Sequence, residues 1–327
     1  MLDKSSESKL LVIKELKTYF YTYEGLVEAL DGINITLKKG EVVGLVGETG
    51  CGKSVTALSV LRLISWPPGK IVNGQIYFKG QDLLKLSEND MQKIRGNEIA
   101  MIFQEPTTSL NPVYTVGHQI EETIKLHNKI DNKEACKRTI EMLEMVNMPD
   151  PKKIFNQYPY ELSGGMQQRV MIAIALSCNP DLLIADEPTT ALDVTIQAQI
   201  LELMFKLQER LGTTILLITH DLGVVAEVCD RVAVMHAGVI VEQGEIHSIF
   251  QEPKHPYTQG LLKTIPKVDK DQDVLQEIKG EVPKLINPPN GCRFYPRCSY
   301  AMDICRKKRP GEYIVGNSHS VACFLYK

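Results

Sequence analysis

The residue types between positions 47 and 54 are those that bind phosphate groups. Two glycines five residues apart, Gly47 and Gly52, are followed at once by Lys53 and Ser54. Glycines let the backbone approach an anion, so that its N–H groups and the positive end of a following helix face the phosphates. Lys53 would reach the outer phosphates of a triphosphate, and the Ser54 hydroxyl would ligate Mg²⁺. A glycine-rich turn with a solvated lysine is the plain alternative.

The sequence on either side of this loop favours the phosphate interpretation. Residues 41–46 are apolar and β-branched like a buried strand, and residues 55–64 are typical of a helix. This is the strand, loop and helix order that the motif requires. The predicted nucleotide contacts of the loop are Gly47, Glu48, Thr49, Gly50, Cys51, Gly52, Lys53, Ser54 and Val55.

Two adjacent carboxylates end a second apolar strand. Residues 181–186 finish in Asp186, and Glu187 follows. Open parallel sheets bind their ligands at the carboxyl ends of strands. Asp186 is suited to hold Mg²⁺, and Glu187 is placed to accept a proton from an attacking water. In isolation such a pair is often only two solvated charges, but the phosphate loop upstream favours the catalytic interpretation.

Two further polar side chains follow predicted strands. Gln104 comes after the apolar residues 99–103, and its amide oxygen could reach a phosphate-bound metal or water. His220 comes after the β-rich residues 213–219 and could contact a γ-phosphate or orient the water. Taken alone, Gln104 would more often end a strand, and a lone histidine is usually structural.

A second glycine pair indicates a second anion site. Ser163, Gly164 and Gly165 precede a run that is typical of a buried helix, and a serine with glycines at a helix start exposes N–H groups to an anion. A chain that already holds a triphosphate has no evident use for this site unless it serves a neighbouring subunit.

The remaining elements position these motifs. Residues 10–20 and 32–37 alternate apolar and polar positions, as a half-buried antiparallel pair does, and residues 69–86 continue that sheet. Aromatic residues crowd positions 19–23, where one ring, Phe20 in our assignment, could stack on a purine or simply pack on the core. Residues 116–147 have helical periodicity and form an insert.

Composition excludes several classes of protein. The 327 residues are 43% hydrophobic and 24% charged, as in a soluble globular protein. The first residues lack a hydrophobic signal core and no apolar run is long enough to cross a bilayer, so we expect a cytoplasmic protein. A net charge of −3 argues against nucleic acid as the main partner.

Four of the eight cysteines lie close together near the C-terminus. Prolines interrupt the chain beyond residue 244, and the cysteines are spaced C-x5-C-x6-C-x17-C at Cys292, Cys298, Cys305 and Cys323. Four thiolates suit tetrahedral Zn²⁺ or an iron–sulfur cube. The wide, uneven gaps favour a [4Fe–4S] cluster over zinc, and free or disulfide-prone thiols are the third alternative. Basic side chains among these cysteines would offset the cluster's negative charge: Arg293, Arg297, Arg306, Lys307, Lys308 and Arg309.

Over residues 10–250 these motifs together resemble the ATP-binding subunits of ABC transporters. The phosphate loop, Gln104, the signature at 162–166, the strand ending in Asp186 and Glu187, the turn at 191–193 and His220 occur in the family's order. The resemblance implies an α/β P-loop ATPase core with an antiparallel β subdomain and a helical insert. It also implies that two subunits face head to tail, so that the signature Ser163, Gly164 and Gly165 bind the partner's γ-phosphate.

Several stretches are similar to the dipeptide and oligopeptide importer branch, namely residues 16–20, 104–112, 165–171 and 255–258. The resemblance implies an ATP- and Mg²⁺-dependent ATPase domain over 1–250, with a helical subdomain at about 106–175, and a C-terminal region over 251–327. Some members carry a [4Fe–4S] cluster in that region. The chain would lie on the cytoplasmic face of the membrane.

The resemblance also implies partners. These are a second ATPase chain of the F type in a heterodimer, two membrane permease subunits contacted around residues 105–112, and indirectly an extracytoplasmic solute-binding protein. Nickel importers have similar subunits, so the cargo stays open. The rival classes are a soluble ABC ATPase with a redox-sensing iron–sulfur tail and a redox protein in which the ATPase is accessory.

Overall fold

The computed structural model describes residues 9–190, 192–264, 278, 280, 283, 285–288 and 290–327. Ala191, the first residue of the predicted turn at 191–193, lies outside the described residues. The strands are β1 (Lys9–Thr22), β2 (Gly25–Lys38), β3 (Val42–Val46), β4 (Gly69–Phe78), β5 (Gln81–Asp82), β6 (Ile99–Ile102), β7 (Leu182–Asp186), β8 (Thr214–Thr219), β9 (Arg231–His236), β10 (Val239–Glu245), β11 (Tyr313–Gly316) and β12 (His319–Val321).

The helices alternate with these strands, as expected of an α/β protein. They are α1 (Lys53–Val60), α2 (Glu88–Ile94), α3 (Pro106–Ser109), α4 (Val116–His127), α5 (Asn132–Met145), α6 (Pro151–Phe155), α7 (Gly164–Leu176), α8 (Val194–Leu211), α9 (Leu222–Val228), α10 (Ile246–Gln251), α11 (Pro256–Lys263) and α12 (Asp303–Lys307). Among the helices of the described ranges, none combines the length and the apolar character needed to span a membrane.

The chain divides into two compact units. The first holds the described residues of 1–38, 42–85 and 218–327, and the second holds those of 39–41 and 86–217. The C-terminal residues are therefore grouped with the phosphate loop. A domain boundary at residue 250 stays a prediction.

An antiparallel sheet with the order β2-β1-β4-β5 lies in the first unit. Strands β1 and β2 pair along their whole length, from Thr22 opposite Gly25 to Lys9 opposite Lys38. Ile33, Ile35 and Leu37 of β2 are buried, while Asn34 and Thr36 between them are half-exposed, because successive side chains of a strand point to opposite faces. The predicted antiparallel pair is confirmed, and β4 and β5 extend it as predicted.

The phosphate loop of the first unit follows a strand that is buried along its whole length. Strand β3 is parallel to β9, with Gly44 opposite Val232, and the order in this part of the unit is β11-β12-β10-β9-β3. Helix α1 starts at Lys53, directly after the loop, and ends at Val60 rather than at the predicted residue 64, since Arg62 has a left-handed backbone with φ 53°.

The second unit contains the β8-β7-β6 strands, with the last residues of β8 assigned to the first unit, and the helical insert. Strands β6 and β7 are parallel, with Ile102 opposite Ala185. The insert predicted at 116–147 is two helices, because α4 ends at His127 and the Asp131 carboxylate caps a new helix by accepting from the Glu134 N–H.

The C-terminal residues add short elements to the first unit. Strand β12 pairs with β10, with Glu242 opposite Val321. The fully buried Glu242 carboxylate bonds His319 and accepts from the N–H groups of Lys254 and His255. This carboxylate joins three separate stretches of the tail. The helices here are short, as the prolines predict.

Candidate functional site

The phosphate loop leaves its strand through a turn in which only glycine fits. A Cβ on Gly47 would lie 2.1 Å from the Met235 carbonyl oxygen, and one on Gly52 would lie 2.7 Å from that of Ala29. Gly52 also has φ 110°, a conformation that residues with a side chain rarely adopt. The glycine spacing that identified the loop is therefore required by close backbone approach.

The Lys53 side chain folds back onto the backbone of the phosphate loop. This side chain is buried, and its ammonium group donates to the carbonyl oxygens of Gly47 at 2.7 Å and Glu48 at 3.2 Å. Ser54 follows at the second position of α1 and is half-exposed. The loop thus holds a cation and the first N–H groups of a helix at one place, which is the arrangement that binds phosphate.

The other loop residues divide into exposed and buried positions. Thr49 and Gly50 are exposed, Val55 is half-exposed and Cys51 is fully buried. Burial raises the pKa of the Cys51 thiol to about 11, so the group stays neutral at physiological pH. Cys51 therefore supplies packing at the base of the loop rather than a reactive thiolate.

Glu48 has contacts that sequence reasoning missed. Arg297 donates to both carboxylate oxygens of Glu48, at 2.6 and 2.8 Å. The backbone N–H of Glu48 donates to the Tyr257 hydroxyl at 3.0 Å. Burial alone raises the pKa of Glu48, but hydrogen bonds and charge from Arg297 and His236 outweigh burial and lower the pKa to about 2. Glu48 is thus an anion anchored to the C-terminal residues, and no local sequence signal indicates this.

The aromatic residues predicted near the purine take different places within the first unit. The Phe20 ring packs so closely on Gly69 that a Cβ there would lie 2.7 Å from it. Tyr21 meets Trp66 edge to face at 5.7 Å, and Tyr23 is fully exposed. Phe20 is half-exposed, so stacking on adenine stays a prediction.

In the second unit, Gln104 and Glu187 meet at the carboxyl ends of two parallel strands. Because Ile102 is opposite Ala185, the residues two positions beyond each lie side by side. The Gln104 side-chain amide donates to the Glu187 carboxylate oxygen Oε2 at 2.9 Å. Asp186, the last residue of β7, is buried. The predicted strand ends are confirmed.

The turn after β7 fixes the Glu187 carboxylate further. Glu187 has a left-handed backbone with φ 46°, and the Thr190 hydroxyl donates to the same oxygen, Oε2, at 3.0 Å. Such a conformation is rare outside glycine and concentrates at functional sites. Two donors on one oxygen orient the carboxylate, and the sequence did not indicate Thr190.

Gln197 is another residue that the sequence did not indicate. Its side-chain amide donates to the carbonyl oxygens of Thr189 and Leu192, both at 3.1 Å. The Asp193 carboxylate caps α8 by accepting from the Ile196 N–H. These bonds hold the turn that follows Glu187, and the only local signal is the N-cap aspartate.

The signature residues open α7 as predicted. The Ser163 side chain caps the helix by accepting from the Met166 N–H, and both Ser163 and Gly164 are exposed, whereas Leu162 is buried. A Cβ on Gly165 would lie 2.9 Å from the Ile196 side chain of α8. The helix N-terminus therefore presents its serine and first glycine at the surface of the unit.

His220 follows β8 and is exposed. The next residue, Asp221, caps α9 by accepting from the N–H groups of Gly223 and Val224. These bonds fix the start of α9, the helix that follows His220. The roles of His220 toward water or a γ-phosphate stay predictions.

The four C-terminal cysteines are among the residues that line one small cavity of about 10 Å³. Burial raises the pKa of Cys292 to about 11 and raises the pKa of Cys298 and Cys323 as well. In the described part of the chain, no group of three or more His, Cys, Asp or Glu side chains is arranged to hold a metal ion. The structure thus brings the four cysteines together around one cavity.

Three of the basic residues predicted to balance a cluster bind carboxylates instead. Arg293 donates to Glu28 at 2.6 Å and Asp31 at 2.9 Å, and Arg309 pairs with Asp31. Arg297 holds Glu48. These three arginines therefore direct their charge to carboxylates of the first unit, and the expectation that basic residues offset the charge of a cluster stays a prediction.

Comparison with known proteins agrees with this geometry. Residues 30–190 match the ABC transporter family, and residues 241–305 match the family described as oligopeptide/dipeptide transporter, C-terminal region. An ATP-binding cassette solved as a dimer in a post-hydrolysis state, bound to ADP and Pi, is 30% identical with a TM-score of 0.65, covering 72% of this chain and 99% of that one.

Named relatives are similar to this protein along nearly the whole chain. The oligopeptide transport ATP-binding protein AppD of Bacillus subtilis is 54% identical, covering 98% of both chains. The dipeptide transport ATP-binding protein DppD of Escherichia coli is 48% identical, covering 96% of both chains. The protein therefore belongs to the oligopeptide and dipeptide branch of ABC transporter ATP-binding subunits.

Proposed function

We propose that this chain is the ATP-hydrolysing subunit of an importer that energises the uptake of dipeptides or oligopeptides across the cytoplasmic membrane. Its relatives named as oligopeptide and dipeptide transport ATP-binding proteins support this cargo. The observation that carries the enzymatic part is the Glu187 carboxylate, held by Gln104 and Thr190 in a strained turn at the end of a buried strand.

The residues of the phosphate loop are proposed to bind ATP. Lys53, now bonded to carbonyl oxygens of its own loop, would exchange these acceptors for phosphate oxygens. The N–H groups from Gly50 to Val55 would donate to the phosphates, as at other helix starts. Phe20 is the proposed purine contact.

Mg²⁺ fits the oxygen donors that the chain offers. Ser54, Gln104 and Asp186 supply a hydroxyl, an amide oxygen and a carboxylate, which are the hard ligands that this ion prefers. Because Gln104 uses its N–H₂ group on Glu187, its oxygen is the end left for a metal role. When bound, the ion would neutralise charge on the phosphates.

Glu187 is the proposed general base. It would accept a proton from the attacking water at a carboxylate oxygen. Gln104 and Thr190 both donate to Oε2, which orients the carboxylate without protonating it. His220 is proposed to contact the water or the γ-phosphate.

A neighbouring ATPase chain is proposed to complete the site. The exposed Ser163 and Gly164 at the start of α7 support a head-to-tail dimer, in which they would bind the partner's γ-phosphate. We propose an F-type chain as the partner.

The remaining partners belong to the membrane transporter. Two membrane permease subunits would contact residues 105–112, and an extracytoplasmic solute-binding protein would deliver the cargo. The chain would lie peripherally on the membrane's cytoplasmic face.

Substitution Glu187→Gln tests the proposal. We expect nucleotide affinity to stay within about twofold, while ATP turnover of the complex falls by a factor on the order of 10²–10⁴, the usual contribution of a general base. Full turnover by this variant beside a normal partner chain would remove Glu187 from the role.

The cargo is tested separately. Uptake of labelled di- or oligopeptides by cells or vesicles that hold the whole transporter should require this chain and should stop in the Glu187→Gln variant. Nickel uptake with no peptide uptake would replace the proposed cargo while leaving the ATPase intact.

We also propose that the four cysteines hold a [4Fe–4S] cluster that serves as a structural staple. The four cysteines line the same small cavity, so their sulfurs lie near one another. The wide, uneven spacing of the four cysteines along the sequence favours a cluster over a single Zn²⁺, whose sites usually combine two close cysteine pairs. A cluster would supply four iron–thiolate bonds to a segment with a small core.

Anaerobic purification tests the cluster. A brown protein with absorbance at about 400 nm and about four irons per chain is expected. Stoichiometric zinc without iron would instead support the zinc alternative. Four free thiols in an anaerobic preparation would remove the metal proposal altogether.

A further inference from the structure

We propose that Arg297 and Tyr257 are positioning residues for the phosphate loop and that they set its affinity for nucleotide. The inference deepens the proposed function and rests on it, since it assigns C-terminal residues to the ATP loop. It does not depend on whether the cysteines hold a metal.

Every polar group of Glu48 has a partner, and two of these partners, Arg297 and Tyr257, come from the C-terminal residues. Arg297 binds the carboxylate through two parallel hydrogen bonds, and Tyr257 accepts the N–H. The carbonyl oxygen accepts from Lys53. Glu48 therefore connects the loop's lysine to residues more than 200 positions further along the chain.

The contacts of Glu48 are buried enough to be strong. The Arg297 side chain is 4% exposed, and Tyr257 is fully buried. A bidentate pair between a guanidinium and a carboxylate is charge-assisted and fixes the relative orientation of both groups. Removing one partner leaves the other charge partly buried and unpaired, which is costly.

A packed aromatic cluster holds the two anchors in place. The Tyr257 ring lies 4.4 Å from the His236 ring and 5.4 Å from the Phe294 ring, and the Arg297 guanidinium lies 6.0 Å from the Phe294 ring. His255 caps the helix of Tyr257 by accepting its N–H at Nδ1. The anchors thus have little freedom of their own.

Strand β9 contacts both the phosphate loop and the anchor residue Tyr257. His236 ends β9, and the preceding carbonyl, that of Met235, is the group against which Gly47 packs. Glu48 is consequently held from both sides, by β9 through Gly47 and by the tail through Arg297 and Tyr257. A loop that is ordered before ATP arrives loses less conformational entropy on binding.

Loss of the anchor residues should affect nucleotide binding more than catalysis. Without Arg297 or Tyr257, Glu48 and the carbonyl groups around Lys53 gain conformational freedom, so nucleotide binds more weakly. Because Glu187, Gln104 and Thr190 are untouched, the KM for ATP should rise more than kcat falls.

The affinity of the full-length chain for MgATP and MgADP, measured by calorimetry, tests this inference. Arg297→Ala should weaken the binding of MgATP and of MgADP about tenfold, which corresponds to the net contribution of one charge-assisted hydrogen bond. Arg297→Lys should recover part of the loss, since lysine keeps the charge but not the two parallel bonds. Tyr257→Phe, which removes one hydroxyl, should weaken binding about threefold. Lys263→Ala, an exposed cation on the same helix as Tyr257, is the control and should bind normally.

A double-mutant cycle separates positioning from general destabilisation. If Arg297 acts through Glu48, then Glu48→Ala with Arg297→Ala should bind ATP no more weakly than Glu48→Ala alone. Additive losses, or wild-type affinity in both Arg297→Ala and Tyr257→Phe, would overturn the inference. Should Arg297→Ala fail to fold, the affinity of Tyr257→Phe decides. ATP binding by the wild type with no effect of these variants would refute this inference alone, whereas a wild-type complex without ATPase activity would refute the proposed function.

Discussion

The Gln104 side-chain amide and the Thr190 hydroxyl donate to the same oxygen of Glu187, at 2.9 and 3.0 Å. The first contact follows from strand register, because β6 and β7 are parallel and both residues lie two positions beyond paired residues. The second contact follows from the left-handed backbone conformation of Glu187, which brings Thr190 next to the Glu187 carboxylate. The proposed base is therefore oriented by one distant and one local donor.

Thr190→Val should slow ATP turnover without weakening nucleotide binding. Valine keeps the shape of threonine but removes the hydroxyl, so the Glu187 oxygen Oε2 loses the Thr190 donor and keeps the Gln104 donor. A drop in kcat of about tenfold is expected, the value of one hydrogen bond to a charged group. Steady-state ATPase assays of the complex measure the drop, and ATP affinity is the internal control. Unchanged kcat would show that Thr190 does not orient the base.

Gly47→Ala should abolish nucleotide binding and destabilise the first unit. The added Cβ would lie 2.1 Å from the Met235 carbonyl oxygen, so either the loop or β9 must move. We expect a loss of at least about 3 kcal/mol in the free energy of unfolding, as for other severe steric changes. Chemical denaturation and calorimetry check both effects.

Gly40→Ala is the matched control for this substitution. Gly40 also has positive φ, 75°, but an added Cβ there would contact nothing within 4 Å. The expected cost is about 1 kcal/mol, from backbone strain alone. Equal losses in the two variants would show that conformation, not close approach, explains the requirement for Gly47.

Arg293→Ala should destabilise the protein strongly. The Arg293 side chain is 1% exposed and bonds the carboxylates of Glu28 and Asp31 and the carbonyl oxygen of Ala237. Breaking a buried ion pair by removing one partner costs about 3 kcal/mol or more. Denaturant unfolding measures the loss. Arg210→Ala, at an exposed position on α8, should change stability by less than about 0.5 kcal/mol.

The stability contribution of Asp31 should depend on pH. Burial raises the pKa of Asp31, but hydrogen bonds from Arg309 and Lys17 and nearby positive charge outweigh burial and lower the pKa to about 2. A carboxyl whose pKa is lower in the folded state stabilises the fold above its unfolded pKa, about 4, and loses that contribution as pH falls through the folded value.

Comparison with Asp31→Asn measures this contribution. The difference in unfolding free energy between wild type and Asp31→Asn should be constant above about pH 5 and should shrink as pH falls from about 4 to 2. A difference that persists unchanged at pH 2 would show that the charge of Asp31 is not what stabilises its neighbours.

Local pattern predicted much of the protein. The glycine spacing from Gly47 to Gly52, the apolar runs of β3 and β7 and the alternation in β1 and β2 are properties of neighbouring residues, so they can be identified without a structure. The helix extents were less predictable, because α1 and the insert end where individual residues leave helical backbone conformation.

What the sequence by itself determined is the family, the phosphate loop and the order of the strands that end in Gln104 and Glu187, since these depend on short segments. Only the tertiary structure decided that Arg297 meets Glu48, 249 residues away, and that Arg293 and Arg309 pair with Asp31 rather than face the cysteines. The physical reason is that an arginine binds whichever carboxylate the packed chain brings within reach, and no periodicity or spacing encodes that distance.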